Sequence, residues 1–151
     1  QAAKKTIPTK ALPLEILKQG LSVRVASDML SPPADIQAIE AGSATNNGID
    51  GADYWLKYNG RLPDYYISHE QLEMLGWRYG DRPSKFAPEK MIGRMVYQNR
   101  NNHLPNKIGR IWYEADINYT QGRRNLHRIV WSNDGLIFVT YDHFQTFYEI
   151  V

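Results

Sequence analysis

The sequence predicts an α+β fold, with N-terminal helices packed on one face of a C-terminal antiparallel β-sheet. Two observations carry this expectation. Residues 52–59 and 67–77 hold apolar side chains at helical spacing, with recognisable ends. Residues 109–147 then read as three strands joined by two tight turns. The composition agrees: 151 residues, 42% hydrophobic and 12% aromatic, suit one domain with an appendage and can bury a core. No window is long and apolar enough to span a membrane, and no leader peptide is recognisable. A first residue of Gln rather than Met reads as a processed or excised chain. The chain has no cysteines, which excludes disulfides and thiolate zinc sites. A net charge of +2 does not by itself mark a nucleic-acid binder. The distribution is more informative, since Arg110, Arg123, Arg124, His127 and Arg128 crowd into one hairpin.

The elements follow in order. In residues 1–50, "LPLEILKQG" reads as a short helix stopped by Gly20, and "SVRVAS" alternates like a strand. "SPPADIQAIEAG" has the opening prolines and closing glycine of a short helix. "SATNNGIDG" is small, polar and glycine-rich, as a linker is. Residues 1–50 are thus an N-terminal extension or linker, either a connector from a longer protein or a segment packed loosely on the main domain. From Gly51 the patterning is definite. "ADYWLKYN" is a helix ended by Asn59-Gly60. "ISHEQLEMLGW" is a second helix, with Ser68 and Gln71 as a capping box, Ile67 and Leu72 as a hydrophobic staple, and Gly76 as its stop. "YGDRPSKFAP" is a loop, and "MVYQNRNNHLPNK" a short strand running into a polar loop.

The meander carries an unusual set of charges. Side chains alternate along a strand, so Trp112, Glu114, Asp116 and Asn118 share a face. With turns centred on Gln121 and on Asn133-Asp134, Glu114 falls opposite Arg128, Arg124 opposite His143, and Arg128 opposite Val139. Glu114, both arginines and His143 then lie on one face. Two readings are open. One is cross-strand ion pairing on a solvated face, worth up to about 1 kcal/mol per pair. The other is phosphoryl transfer in RNA, in which a carboxylate takes a proton, an imidazole gives one, and two guanidiniums hold the phosphate. On the second reading the arginines keep Glu114 ionised, and carboxylates such as Asp142 keep His143 protonated.

"DYWLKYNGRLPDYYIS", "LGW", "FAP", "GRIWYEADINYT", the spaced "GRRN" and "RI", and "TYDHFQTF" together resemble the microbial extracellular ribonuclease family typified by barnase. The resemblance covers residues 51–150 in order, so residues 51–151 are expected to form a ribonuclease domain of the microbial ribonuclease fold. It implies metal-independent endonucleolytic cleavage of single-stranded RNA through a 2′,3′-cyclic phosphate, with guanosine preferred on the 5′ side and no cofactor. It implies Glu114 as general base and His143 as general acid. Arg124 and Arg128 would stabilise the charged phosphorane, with Asp116 orienting them. The segment Tyr97, Gln98, Asn99, Arg100 and Asn101 would read guanine, largely through backbone N–H groups of Asn99 and Arg100, and Phe144 would pack on substrate.

Several positions depart from the family pattern. His69 stands where the family has a catalytic lysine, and at the first turn of a helix the macrodipole disfavours its protonation. The alternative is that His69 is an exposed first-turn residue. Asn101 stands where Bacillus members have a guanine-binding glutamate, and an amide only partly imitates a carboxylate accepting two N–H groups. Glu89, Arg94 and Met95 stand where relatives often have Gly, Gly and Asp. If those glycines use positive φ, the loop here is altered or strained. These departures leave a non-catalytic RNA- or protein-binding descendant as the competing function. The resemblance further implies a secreted monomer, or the toxin domain of a larger protein delivered to a target-cell cytoplasm. It also implies an acidic barstar-like inhibitor or immunity protein bound over Arg124, Arg128 and His143. Such a pair associates fast by electrostatic steering, for which this family supplies the standard example.

Overall fold

The computed structural model describes residues 22–24 and 36–151, with side chains from residue 36 onward. The strands are β1 (Ser22–Arg24), β2 (Ile36–Ile39), β3 (Tyr66–Ile67), β4 (Met91–Ile92), β5 (Met95–Tyr97), β6 (Trp112–Asp116), β7 (Arg128–Ser132), β8 (Ile137–Thr140) and β9 (Tyr148–Ile150). The α-helices are α1 (Ala52–Asn59) and α2 (His69–Met74). Seven strands form one sheet in the order β1-β2-β9-β8-β7-β6-β5, and β3 pairs with β4 in a second, two-stranded sheet. The large sheet is antiparallel except where β2 runs parallel to β9. This is the expected α+β arrangement. Among the described residues no helix is long and apolar enough to cross a membrane.

The segment expected as a helix at 31–42 is, over its described part, the strand Ile36–Ile39. Pairing overrides the proline-and-glycine punctuation. Two isoleucines suit a strand, Ala38 and Ile39 are buried, and β9 supplies a partner that local sequence could not reveal. The helix expected at 12–20 lies outside the described residues, as does the part of the first strand beyond Arg24. Residues 43–51, expected as a linker, lie against the core. Ala44 and Thr45 are buried, and the buried Asp53 carboxylate of α1 accepts from Gly42 N at 2.7 Å and Ala44 N at 3.0 Å. Burial raises the Asp53 pKa, and those N–H donors hold the rise in check.

The main core lies on one face of the sheet. Ala52 and Leu56 of α1 pack with Ile39, Ala115, Ile117, Ile129, Ile137, Val139, Tyr141, Tyr148 and Ile150. A second cluster, Leu72, Trp77, Ala87 and Ile92, seats α2. Its capping box is formed as expected: Gln71 N donates to Ser68 Oγ at 3.0 Å, and Ser68 N donates to Gln71 Oε1 at 3.1 Å. Ile67 packs against the cluster that holds Leu72, completing the staple, and Gly76 turns the chain at φ 104°. A third cluster, Leu104, Trp112, Val130 and Phe138, lies on the other face, with Tyr97, Phe144 and Phe147 against it. It covers only part of that face. Glu114 and Asp116, two and four residues beyond Trp112 on β6, occupy the remainder.

Glu89 and Arg94, in the loops flanking β4, adopt φ of 65° and 60°. These are left-handed conformations that suit glycine. Arg94 gains a compensation, its guanidinium lying 4.4 Å from the Tyr113 ring centroid. Glu89 is exposed, and among the described residues no such contact offsets its backbone strain. Glu89→Gly should therefore stabilise the fold by about 1 kcal/mol in urea unfolding, whereas Arg94→Gly should gain less.

Candidate active site

The site is built from β6 outward. Glu114 and Asp116 project from the same face of β6, and Arg128 opens β7 opposite Asp116. Asp116, 2% exposed, holds two guanidiniums at once. Arg124 grips it in bidentate fashion, Nε to Oδ2 at 2.9 Å and Nη2 to Oδ1 at 2.7 Å, while Arg128 Nε lies 3.1 Å from Oδ1. Arg128 Nη1 is fixed further by the carbonyls of Asn125 and His127, each at 2.7 Å. The loop carrying Arg124 is pinned from beneath. Tyr119 Oη donates to Gly122 O at 2.6 Å, Gly122 N donates to Ser84 Oγ at 3.0 Å, and Asn125 Nδ2 donates to Ile117 O at 3.0 Å. The shared buried carboxylate fixes both guanidiniums in place.

Three register expectations need correction. Glu114 lies opposite Val130 rather than Arg128. This slip of two residues keeps Glu114 on the arginine face. Arg128 lies opposite Thr140 rather than Val139, because Gly135, at φ 102°, extends the second turn by one residue. That slip is odd, so Val139 and Tyr141 fall into the main core, and Phe138 and Thr140 take the arginine side. His143 lies beyond β8 in a bend, where no strand parity applies, and Arg124 precedes β7 in a loop, so the two are not opposite each other across a strand pair.

The His143 loop is held in an unusual conformation. His143 and Phe144 take consecutive left-handed conformations, φ 59° and 73°. His143 N donates to Leu126 O at 3.1 Å, and Phe144 N donates to Thr140 Oγ1 at 2.9 Å. The Asp142 carboxylate accepts from Thr140 Oγ1 and from the N–H groups of Gln145 and Thr146. Asp142 is therefore a loop staple, and it does not hold His143 protonated as expected. The His143 pKa lies below 6.5, lowered by burial and by Arg128 and Arg124, with Asp116 opposing. The expectation for Glu114 is likewise reversed. Its pKa lies above 4.5 because burial and Asp116 outweigh Arg128 and Arg124.

The expected substrate-binding residues form one wall. Tyr97 stacks on Phe144, ring centroids 4.9 Å apart and planes 21° from parallel. Asn99, 4% exposed, turns its side chain inward, donating to Leu104 O and Asn106 Oδ1, both at 2.8 Å. Gln98, Arg100 and Asn101 are exposed at the rim. His103 Nδ1 lies 3.0 Å from Phe144 O, tying this loop to the His143 loop. Burial and the Glu114 charge raise the Tyr97 pKa, so the wall adjoins Glu114. His69 is not the exposed first-turn residue of the plainer expectation. Its side chain is 13% exposed and pairs with Glu73 at 3.5 Å. Its ring packs with those of Trp77 and Tyr79 at 5.0 and 4.8 Å. Tyr79 was hidden from sequence reasoning inside a segment legible only as a loop.

Comparison with known proteins places this geometry in context. The family model described as ribonuclease matches residues 50–151. A ribonuclease of Heyndrickxia coagulans is 48% identical over 109 residues, covering 71% of this chain and 99% of that protein. Ribonucleases of Bacillus intermedius and Bacillus pumilus are also 48% identical over 109 residues, covering 71% of this chain and 67% of each. A crystal structure of ribonuclease Sa2 with guanosine-2′-cyclophosphate is a more distant likeness, 21% identical with a TM-score of 0.35, covering 57% of this chain and 94% of that one. By its matched family model and these relatives, the chain belongs to the ribonuclease family.

Proposed function

We propose that the chain is an endoribonuclease that cleaves single-stranded RNA by attack of a 2′-hydroxyl on the adjacent phosphorus. Glu114 takes the hydroxyl proton, and His143 gives a proton to the departing 5′-oxygen, leaving a 2′,3′-cyclic phosphate that water later opens. Arg124 and Arg128 hold the phosphate and meet the charge that grows on its oxygens. The single observation that carries this reading is the double grip of buried Asp116 on both guanidiniums, with Glu114 next along the same strand face. A solvated ion-paired face would not bury such a cluster. Burial raises the Glu114 pKa and lowers that of His143, which narrows the pH window in which the base is ionised while the acid is protonated.

The loop Tyr97–Asn101 reads the base 5′ to the cut. Its stacked Tyr97–Phe144 pair offers an aromatic surface, and guanosine is the preferred base on the motif resemblance. The chain would act as the ribonuclease end of a secreted or injected toxin, with delivery assigned to sequence ahead of residue 36, since residues 36–49 are built into the sheet and core. An acidic inhibitor protein fits over the exposed His143 and the adjoining arginines. The test is incubation with a GpN dinucleotide and with its 2′-deoxy analogue at pH 5–7. A 2′,3′-cyclic product from the ribonucleotide alone is expected, since the deoxy compound lacks the nucleophile. An intact ribonucleotide would refute the reading.

A further inference from the structure

Tyr79 is 66% exposed, and this exposure is built into the fold. It sits at the tip of a turn whose ends are tied three times. Asp81 N donates to Arg78 O at 2.9 Å, Arg78 N donates to Asp81 Oδ2 at 3.0 Å, and Trp77 Nε1 donates to Asp81 O at 2.9 Å. Gly80, at φ 94°, fills the turn position that demands a left-handed residue. Trp77, 1% exposed, roots the turn in the second core. The Tyr79 ring is backed by His69 at 4.8 Å and Trp77 at 5.2 Å, while most of its surface remains in solvent. Beneath it the His69 Nε2 is buried with no hydrogen-bond partner, so the imidazole serves as packing for the tyrosine.

The position matters as much as the rigidity. The loop bearing Tyr79 lies against the loop bearing Arg124: Ser84, five residues beyond Tyr79, accepts from Gly122 N at 3.0 Å, and its own N donates to Tyr119 Oη at 3.0 Å. Arg124 grips Asp116, at the end of β6 opposite to Trp112, where β6 pairs with Tyr97 and the Tyr97–Asn101 loop begins. The site therefore runs from that loop, past Glu114, to the two arginines, and then to Tyr79. Arg78, Arg82 and Arg123 add cationic groups in the same two loops.

We propose that Tyr79 is a stacking platform for a second RNA base, one that lies across the phosphate clamp from the base held by the Tyr97–Asn101 loop. This rests on the endoribonuclease reading above. An aromatic face beside cationic groups is how single-stranded nucleic acid is held without reading its sequence, because every base offers a π-face. The ring is already fixed by the turn and by its two aromatic neighbours, so little side-chain entropy is lost on binding. The platform should accept any base and should act mainly on KM.

The test uses a tetraribonucleotide with one cleavable linkage, and versions carrying an abasic residue at each non-reacting position in turn. Tyr79→Ala should raise KM about tenfold on the full substrate, the order expected for one lost base stack, and leave kcat within about twofold. Tyr79→Trp should restore KM. On the one abasic substrate that lacks the stacked base, the unaltered chain and Tyr79→Ala should become equal. A merely structural role for Tyr79 would not produce that equality. If the unaltered chain cleaves but Tyr79→Ala leaves KM unchanged, or carries the same penalty on every abasic substrate, the platform is refuted alone. If the unaltered chain leaves the tetranucleotide whole, the endoribonuclease reading falls and takes the platform with it.

Discussion

Replacing Glu114 by Ala should lower kcat/KM on a GpN dinucleotide by about 10²–10⁴-fold, and His143→Ala should do the same, the range expected for losing one side of acid–base catalysis. The two residues differ in how they are held, which separates chemistry from folding. His143 is exposed and its backbone, not its imidazole, carries the loop's hydrogen bonds, so its truncation should leave the melting temperature nearly unchanged. Glu114 is half-buried, and among the described residues no hydrogen bond of its carboxylate holds the sheet. Glu114→Gln keeps its volume and removes only the basic oxygen, so it should lose activity nearly as fully while unfolding at the same urea concentration. The double variant should lose less than the product of the single losses, because base and acid act in one step.

Asp116→Ala should be the most destabilising change at the site, by about 3–5 kcal/mol, because it leaves two guanidiniums without their shared counter-charge. Arg128 is 5% exposed and cannot simply turn to water. Burial and the neighbouring Arg124 already lower the Arg128 pKa, and Asp116 is the main group opposing them. Without Asp116, Arg124 would also lose its bidentate anchor and with it the geometry of the proposed phosphate clamp. Activity should fall together with stability, unlike in Glu114→Gln. Inorganic phosphate should recover part of the lost stability by supplying a counter-charge to the two guanidiniums that Asp116 no longer neutralises. Urea unfolding with and without phosphate measures both effects.

These contrasts show where the sequence was informative. Helix α1, the capping box at Ser68 and Gln71, and the staple of Ile67 on Leu72 are local devices, and all are legible in the chain. Strand β2 is not, because its partner β9 lies more than a hundred residues away and supplies the pairing that local punctuation cannot. The register of β8 was lost to a single residue in the turn at Gly135. At the site, the residue types named by the motifs were legible, but the balance of forces on them was not. That Glu114 is raised despite two arginines depends on how deeply it is buried and on its closeness to Asp116. That Asp142 is used up by Thr140, Gln145 and Thr146 depends on a left-handed bend that strand alternation cannot describe. Tyr79 carried no motif, and its meaning comes only from the rings behind it and the Arg124 loop beside it.

The central claim, that Glu114 is the base and His143 the acid, is tested most directly by the pH dependence of kcat/KM on a GpN dinucleotide. Glu114 must be ionised, so activity rises as pH climbs through a pKa above 4.5. His143 must be protonated, so activity falls as pH climbs through a pKa below 6.5. The profile should be a bell narrower than ordinary carboxyl and imidazole groups would give, because burial raises the one and lowers the other, and kcat/KM reports the free enzyme's groups. Glu114→Gln should retain the falling limb and lose the rising one. A bell of unchanged shape in Glu114→Gln, or a profile that keeps rising above pH 7, would contradict the assignment.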